Sequence, residues 1–155
     1  MNDAQAGHEK TITALLPALA GANLIYGMGM LELGVSFSYA QLMIDHDIAR
    51  MIKRAVYGIP VNDATLAVEV IDKVGPSKNF LAEKHTRQFM ASEQSKPVLF
   101  DRRMRGTWES RGAKDIRDAA NEEAVKILST HKPDPLPETV IKKLRRIVES
   151  AEQED

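Results

Sequence analysis

The chain has 155 residues, 43% of them hydrophobic and 28% charged, which are ordinary values for one globular domain with a hydrophobic core. Its net charge of -1 gives no reason to expect a nucleic acid or an anionic membrane as a partner. The absence of cysteine excludes disulfide bonds and thiolate metal sites and fits a reducing compartment. Because residues 1–10 also lack the apolar segment of a secretory signal, we expect a cytoplasmic protein.

The first element of the chain is a predicted helix over residues 4–20. Its apolar side chains recur at the i, i+3, i+4 and i+7 positions of one helix face. Asp3 is expected to cap the first turn and Gly21 to end the helix. Pro17 is expected to kink the axis, because proline removes a backbone hydrogen bond.

A glycine-rich stretch, residues 21–34, comes next. The apolar run Leu24–Tyr26 predicts a short buried strand, and Gly27 and Gly29 after it predict a functional loop, because glycine allows positive φ or a close approach to a ligand. A buried helix with small-residue packing is the alternative that periodicity leaves open. The apolar window from residue 12 to 35 is interrupted by proline, glycine and charge, which argues against a membrane span.

The rest of the chain is predicted to be mainly helical, with boundaries set by capping side chains and by glycine or proline stops. A long helix is predicted from Tyr39, capped by Ser38 with Gln41 and ended by Gly58, and the next helix is capped by Asn62 or Asp63 and closed by Gly75. A short helix capped by Asn79, an irregular segment at 96–100 and a short helix capped by Asp101 that ends near Gly112 follow. The remaining segments are a helix over 115–130, a proline-rich break at 132–137 and a last helix that starts at Pro137. The long helix carries a predicted buried stripe of Ile44, Ile48, Met51, Ile52 and Ala55.

This set of elements contains one convincing strand, Leu24–Tyr26. A strand buried alone would leave its backbone N–H and C=O groups without hydrogen-bond partners. Either the strand prediction is wrong or the strands that pair with it lie outside this chain.

Two charged clusters are candidate sites. Asp45, His46 and Asp47 are adjacent on a predicted helix, so their side chains point in different directions and do not converge on one metal ion. Arg102, Arg103 and Arg105 are flanked by carboxylates, which favours a solvated or ion-paired face over an anion or partner contact. No nucleotide-binding or nucleophile-elbow motif occurs in the sequence.

Glu32 is the most informative charge, because it is the lone carboxylate of an apolar, glycine-rich segment. With Tyr26 and other aromatic residues nearby in sequence, it could help to line a pocket for an organic cation. A structural role at the rim, capping or pairing with an arginine, is the equal alternative. The position of Asp3, Gln5 and His8 at the start of the first helix predicts that they are helix-capping side chains.

The chain resembles the trimethylamine methyltransferase family through nearly all of its 155 residues. The segments that carry the resemblance are Asp3–Lys10, Leu15–Glu32, Asp101–Arg103 and Thr130–Pro133. The resemblance implies an α/β fold, with this chain as the C-terminal segment of a (β/α)8 TIM-type barrel, mostly helical and with one or two short strands. The strands that pair with it would then precede Met1.

The resemblance also implies a reaction. The family transfers a methyl group from a methylamine or a betaine-type quaternary amine to the cobalt of a corrinoid that a separate protein carries, so no cofactor is expected to bind this chain directly. Some members contain pyrrolysine, at a position that would lie shortly upstream of Met1. The expected partners are the cognate corrinoid protein, the N-terminal part of the barrel and a small amine.

Site residues follow from the same resemblance, because such barrels gather their active sites at the carboxyl ends of strands. Glu32 and His8 are the candidate catalytic residues. The candidate substrate-binding residues are Gln5, Tyr26, Gly27 and Gly29, and no metal ligand is expected. We expect residues 1–131 to be part of the barrel and residues 132–155 to be its proline-rich break and last helix.

A second class of function remains open at this point. The apolar faces of Ile44–Ala55 and Val140–Ala151 could instead bind partners in a noncatalytic helical interaction module. Under the barrel hypothesis an exposed strand edge and apolar helix faces would still drive association, so we expect a homo-oligomer.

Overall fold

The computed structural model describes residues 1–153, and these residues are mostly helical. The helices are α1 Ala4–Leu19, α2 Tyr39–Tyr57, α3 Asp63–Leu66, α4 Val68–Val74, α5 Lys84–Glu93, α6 Arg105–Ser110, α7 Ile116–Thr130 and α8 Glu138–Glu152. The strands are β1 Met30–Leu31 and β2 Ser36–Phe37, joined by the 3-10 turn Glu32–Gly34. This composition is compatible with the predicted α/β class and its one or two short strands.

The predicted strand at Leu24–Tyr26 is wrong. These residues are irregular, and the Tyr26 side chain is 86% exposed. The strands form further along the chain, where Met30 lies opposite Phe37 and Leu31 opposite Ser36 in an antiparallel hairpin. A local hairpin satisfies its own hydrogen bonds, whereas no strand in the described part of the chain is available to pair with residues 24–26.

Helix α1 has the predicted start. Asp3 Oδ1 accepts a hydrogen bond from the backbone N–H of Ala6 at 3.0 Å, as an N-cap side chain does. The helix ends at Leu19, and Pro17 lies inside its last turn. The capping and helix-stop signals of the sequence therefore placed this element to within one residue.

Helix α2 is the central element of the core. It begins at Tyr39 as predicted, with Ser38 Oγ accepting from the backbone N–H of Gln41 at 3.2 Å, and Gly58 is its C-cap. The predicted capping box is only half formed, because the Gln41 side chain bonds to Asp45. The buried core consists of Ala40, Ile44, Ile48 and Ile52 of this helix with Ala120 of α7, and Ala14, Leu15, Ala18, Met43, Leu99, Phe100 and Ile116 pack against it.

The predicted buried stripe of α2 is correct at its three isoleucines and weaker at its other members. Met51 is half-buried and Ala55 is exposed. Ala55 lies in the last turn of the helix, away from the core that α1 and α7 cover.

The predicted helix over residues 63–74 is divided into α3 and α4. Asn62 caps α3 and forms a full capping box with Thr65. Ala67 then adopts the left-handed conformation, with φ 53° and ψ 34°, and breaks the helix. Nothing in the helical periodicity of the sequence marks this break, because alanine is a strong helix former.

Asn79 and Asp101, each predicted to cap a helix, stabilise turns and not helix starts. Asn79 Oδ1 accepts from the backbone N–H of Leu81 at 2.7 Å, while α5 starts later at Lys84. Asp101 Oδ1 accepts from the backbone N–H of Arg103 at 2.9 Å, and the N-cap of α6 is Met104. Asn and Asp side chains form such turns readily two residues ahead of themselves, so the same signal serves a turn or a helix start.

The chain divides into two compact units, residues 1–125 and the residues from Lys126 onward. The second unit holds the end of α7 and helix α8, which starts at Glu138 with Pro137 as its N-cap, one residue later than predicted. The apolar stripe of α8 is exposed at Val140, Ile141, Leu144, Ile147 and Val148. Residues 154 and 155, the end of the predicted C-terminal segment, lie outside the described residues. None of the helices described combines the length and hydrophobicity that a bilayer crossing requires.

Candidate functional site

A buried carboxylate ties the glycine loop to the two longest helices of the first unit. Asp45 of α2 is 5% exposed, and its Oδ2 accepts hydrogen bonds from the backbone N–H of Gly29 and from Lys10 Nζ, each at 2.8 Å. Its Oδ1 accepts from Gln41 Nε2 at 2.7 Å. Lys10 Nζ of α1 also donates to the carbonyl oxygen of Gly27 at 2.8 Å. We call Asp45, Lys10 and Gln41 the loop clamp.

Gly29 is required at its position in the clamped loop. Its φ is +78°, and a Cβ added there would lie 2.6 Å from Cε2 of Phe37 and 3.2 Å from Cβ of Leu42. Only glycine combines that backbone conformation with such a close approach at no steric cost. The loop therefore packs closely against β2 and α2 and leads directly into β1.

An open cleft of about 410 Å³ lies between the first turns of α1 and the β1–β2 hairpin. It is lined by Met1, Asp3, Gln5, Ala6, Glu9, Leu31, Glu32 and Ser36. Three of these side chains are carboxylates, and none of the three forms an ion pair within residues 1–153. Uncompensated carboxylates that share a concave surface create a negative potential, which attracts cations. We call this feature the acidic cleft.

Hydrogen bonds within the acidic cleft orient two of its carboxylates. Ser36 Oγ donates to Glu32 Oε2 at 2.6 Å, and Gln5 Nε2 donates to Glu9 Oε1 at 2.9 Å. Glu32 is exposed and has a positive φ of 52°, which is uncommon for a residue with a side chain. The turn that carries Glu32 thus has an uncommon backbone conformation, and it places the carboxylate at the wall of the cleft.

The predicted site residues divide into three groups. Gln5 and Glu32 come together as lining residues of the acidic cleft. Gly27 and Gly29 belong to the clamped loop behind it. His8 and Tyr26 are exposed and do not line the cleft.

The residues of the loop clamp were missed by the sequence reasoning, although a signal for them exists. Gln41 and Asp45 fall at i and i+4, on the same helix face as the buried isoleucines of α2. A carboxylate on an apolar helix face has to be paired, because its burial without a partner is costly. The sequence indicates that Asp45 needs a partner, and the structure shows that the partner is Lys10.

Asp47, two residues after Asp45, serves another part of the chain. It is 1% exposed, and its Oδ2 accepts from the backbone N–H groups of Val98 and Leu99, each at 2.7 Å. The exposed His46 lies between the two aspartates. No group of three or more His, Cys, Asp or Glu side chains in the described residues is arranged to hold a metal ion.

A second cleft, of about 450 Å³, surrounds Trp108 and the Asp101–Arg103 ion pair. Arg103 Nη2 lies 2.6 Å from Asp101 Oδ2, and Arg105 pairs with Glu109 at 2.8 Å. The ion-paired interpretation of the arginine cluster is therefore confirmed for these two residues. Hydrogen bonds from the Arg103 side chain and backbone lower the pKa of the Asp101 carboxyl to about 2.

Replacing Arg103 with glutamine is expected to return the pKa of Asp101 toward its ordinary value of 3.8. Because the folded-state pKa is depressed, this pair stabilises the fold above pH 3.8 and loses that contribution as the pH falls through about 2. The measurement is a carboxyl-carbon NMR titration of Asp101 in both proteins. An unchanged Asp101 titration in Arg103→Gln would contradict the assignment, and Arg105→Gln is the control that should leave it unchanged.

Comparison with known proteins identifies the family. A family model described as Trimethylamine methyltransferase (MTTB) matches residues 1–154. A trimethylamine methyltransferase of Desulfitobacterium hafniense is 56% identical over 152 residues, which is 98% of this chain and 30% of that relative. One from Methanosarcina mazei is 53% identical over 151 residues, 97% of this chain and 30% of that relative.

A more distant relative carries a different name. A glycine betaine methyltransferase of Desulfitobacterium hafniense is 31% identical over 147 residues, which is 94% of this chain and 30% of that relative. The chain belongs to the trimethylamine methyltransferase family, as its sequence suggested. It spans about 30% of the length of these curated relatives.

Proposed function

We propose that this chain is the C-terminal part of a methyltransferase that moves a methyl group from a small methylated amine to the cobalt of a corrinoid on a separate protein. The observation that carries the proposal is identity above 50% to trimethylamine methyltransferases over nearly the whole chain. Trimethylamine is the favoured substrate, because the betaine-named relative is only 31% identical. A betaine-type quaternary amine is the alternative donor.

The acidic cleft supports this proposal independently of the family. A methylated ammonium group is a compact cation with an apolar surface, and the cleft offers carboxylates beside the apolar side chains of Met1 and Leu31. Its volume of about 410 Å³ falls in the range of small-ligand pockets, about 300–1,000 Å³.

The chain's own residues would act by binding and orientation. Glu32, held by Ser36, would stabilise the ammonium group, and Gln5 would contact the substrate from the facing helix. The reduced corrinoid of the partner supplies the nucleophile in such a transfer. Catalysis of this kind depends on placing donor and acceptor in line and on excluding water. His8 keeps its proposed catalytic role only if further parts of the barrel close over the exposed start of α1.

The proposed (β/α)8 context rests on the surface of the first unit. Large apolar side chains such as Leu24, Leu33 and Val35 are each more than four-fifths exposed. Clusters of exposed apolar residues commonly mark surfaces that another part of a protein covers. We propose that the remainder of the barrel covers them.

The proposal is tested by reconstitution. We expect methyl transfer from trimethylamine to a reduced corrinoid protein when this chain is mixed with the N-terminal part of the Desulfitobacterium hafniense relative, and none with this chain alone. Formation of methylated cobalt is followed by absorbance. Absence of transfer from both trimethylamine and glycine betaine in the mixture, with the two parts shown to associate, would overturn the proposal. It would leave a noncatalytic interaction module as the remaining interpretation.

Glu32→Gln is expected to reduce kcat/KM of the reconstituted protein at least about tenfold, equivalent to about 1.4 kcal/mol. The physical reason is the loss of a negative charge beside the substrate cation, with the hydrogen bond to Ser36 still possible. Glu69→Gln, which changes an exposed carboxylate on α4, is the matched control and should have no effect. Equal kcat/KM values in wild-type and Glu32→Gln proteins would remove Glu32 from the site.

A further inference from the structure

The two walls of the acidic cleft belong to separate pieces of the chain. One wall is the start of α1, and the other is the β1–β2 hairpin with its Glu32 turn. Between them runs the irregular segment of residues 22–27, which has no regular structure to fix a distance. Ala14, Leu15 and Ala18 pack the second half of α1 against the core of α2. At the first turns of α1, which line the cleft, side-chain bonds are therefore the contacts that can set the distance between the walls.

The loop clamp supplies those bonds. Lys10 lies one residue after the cleft carboxylate Glu9, and its Nζ reaches the loop at the Gly27 carbonyl oxygen. Asp45 holds both the Lys10 ammonium group and the backbone N–H of Gly29, which immediately precedes β1. A further bond at the rim, from Asn2 Nδ2 to Ser38 Oγ, is longer at 3.3 Å. Through the clamp, α1 and the loop that leads into the hairpin are both bonded to α2.

We propose that Asp45 is a positioning residue that sets the opening of the acidic cleft by holding Lys10 and Gly29 on one carboxylate oxygen. Its functional consequence rests on the proposed amine site, while its structural consequence does not. A buried ion pair contributes little net stability compared with well-packed apolar residues. Its place on the core face of α2 has a geometric use, because a carboxylate fixes two donors from different elements in one place.

All three partners of Asp45 are hydrogen-bond donors. Asparagine has nearly the same shape but replaces one carboxylate oxygen with an NH2 group, which can only donate. Asp45→Asn removes the negative charge that pairs with Lys10 and leaves one acceptor oxygen in place of two, so the clamp is weakened without creating a cavity. Asp45→Asn is thus a specific test of the clamp.

Asp47 provides a matched control on the same helix. It is at least as buried as Asp45 and likewise holds two donors on one carboxylate oxygen, the backbone N–H groups of Val98 and Leu99, which do not line the acidic cleft. Asp47→Asn should cost comparable stability and leave the cleft unchanged. The comparison separates loss of a buried carboxylate from loss of the clamp.

The experiment uses the chain's lack of cysteine. Spin labels on Ala6→Cys, in one wall, and Val35→Cys, at the exposed tip of the hairpin, report the distance between the walls by pulsed electron paramagnetic resonance. We expect one narrow distance distribution in the labelled parent and in Asp47→Asn, and a broad distribution extended to longer distances in Asp45→Asn. Lys10→Met, which removes the other half of the ion pair, should broaden it as well.

Either of two outcomes would overturn the proposal: a narrow distribution in both Asp45→Asn and Lys10→Met, or equal broadening in Asp47→Asn. Circular dichroism shows which variants are folded. If Asp45→Asn is not folded, the distance distribution of Lys10→Met decides the test. In the reconstituted protein, Asp45→Asn is expected to raise KM for trimethylamine about tenfold with a smaller change in kcat. If the parent transfers no methyl group, the proposed function fails while the spin-label distances still decide the clamp.

Discussion

Replacing Gly29 with alanine is expected to lower the free energy of unfolding by about 2–4 kcal/mol, combining overpacking with a strained positive φ. The new Cβ would lie 2.6 Å from Cε2 and 2.9 Å from Cζ of Phe37, much closer than van der Waals contact allows. Phe37 belongs to β2, packs edge-on against Tyr39 and is 56% exposed, so its ring can move away only by giving up that contact. The φ of +78° and the approach to Leu42 Cβ remain after the ring has moved, so strain stays in the loop that leads into β1.

The measurement for Gly29→Ala is urea unfolding of the chain, followed by circular dichroism. Gly7→Ala is the matched control: Gly7 lies inside α1 with no heavy atom within 4 Å of the added Cβ. That change is expected to raise stability by about 0.5–1 kcal/mol, because glycine is a poor helix former. Equal unfolding free energies for wild-type and Gly29→Ala would show that the loop does not hold this close approach.

Ile48→Ala is expected to cost about 2–5 kcal/mol of stability, the usual range for truncating a buried isoleucine. Ile48 is central in the run of buried residues from Ala40 to Ile52, and Ala120 of α7 belongs to the same cluster. The first unit has few fully buried apolar residues, so one cavity removes a large share of its core. We expect the largest single loss of stability in the chain at this position.

Val56→Ala, on the same helix with 48% of Val56 exposed, is the control for Ile48→Ala and should cost less than about 1 kcal/mol. Both variants are compared by denaturant midpoint and by the slope m of the unfolding transition. A loss for Ile48→Ala no greater than that for Val56→Ala would place the core elsewhere. An altered m would instead indicate that unfolding is no longer a two-state transition.

The parts of the fold that could be predicted are those governed by local interactions. Helix α1 starts after Asp3, α2 after Ser38 and α8 after Pro137, because a cap or a proline acts within one turn of its own position. The buried isoleucines of α2 followed from helical periodicity. The break at Ala67 could not be predicted, because alanine favours helix and no local signal marks the left-handed residue.

The candidate site was predictable in part for the same reason. Glu32 and Gln5 were identified, from the isolated charge in an apolar segment and from the family resemblance, and they line one cleft. The strand assigned to Leu24–Tyr26 was wrong, because strand pairing depends on a partner that local propensity does not reveal.

The amino-acid sequence by itself determined the starts of α1 and α2, the buried isoleucines of α2 and the family, since these depend on neighbouring residues and on similarity along the chain. Only the tertiary structure decided that Asp45 and Asp47, two residues apart on α2, hold different parts of the chain. It also decided that Lys10 and Gly29 meet on one carboxylate. Such contacts join residues far apart in sequence, and their geometry is set by how α1, α2 and the hairpin pack together.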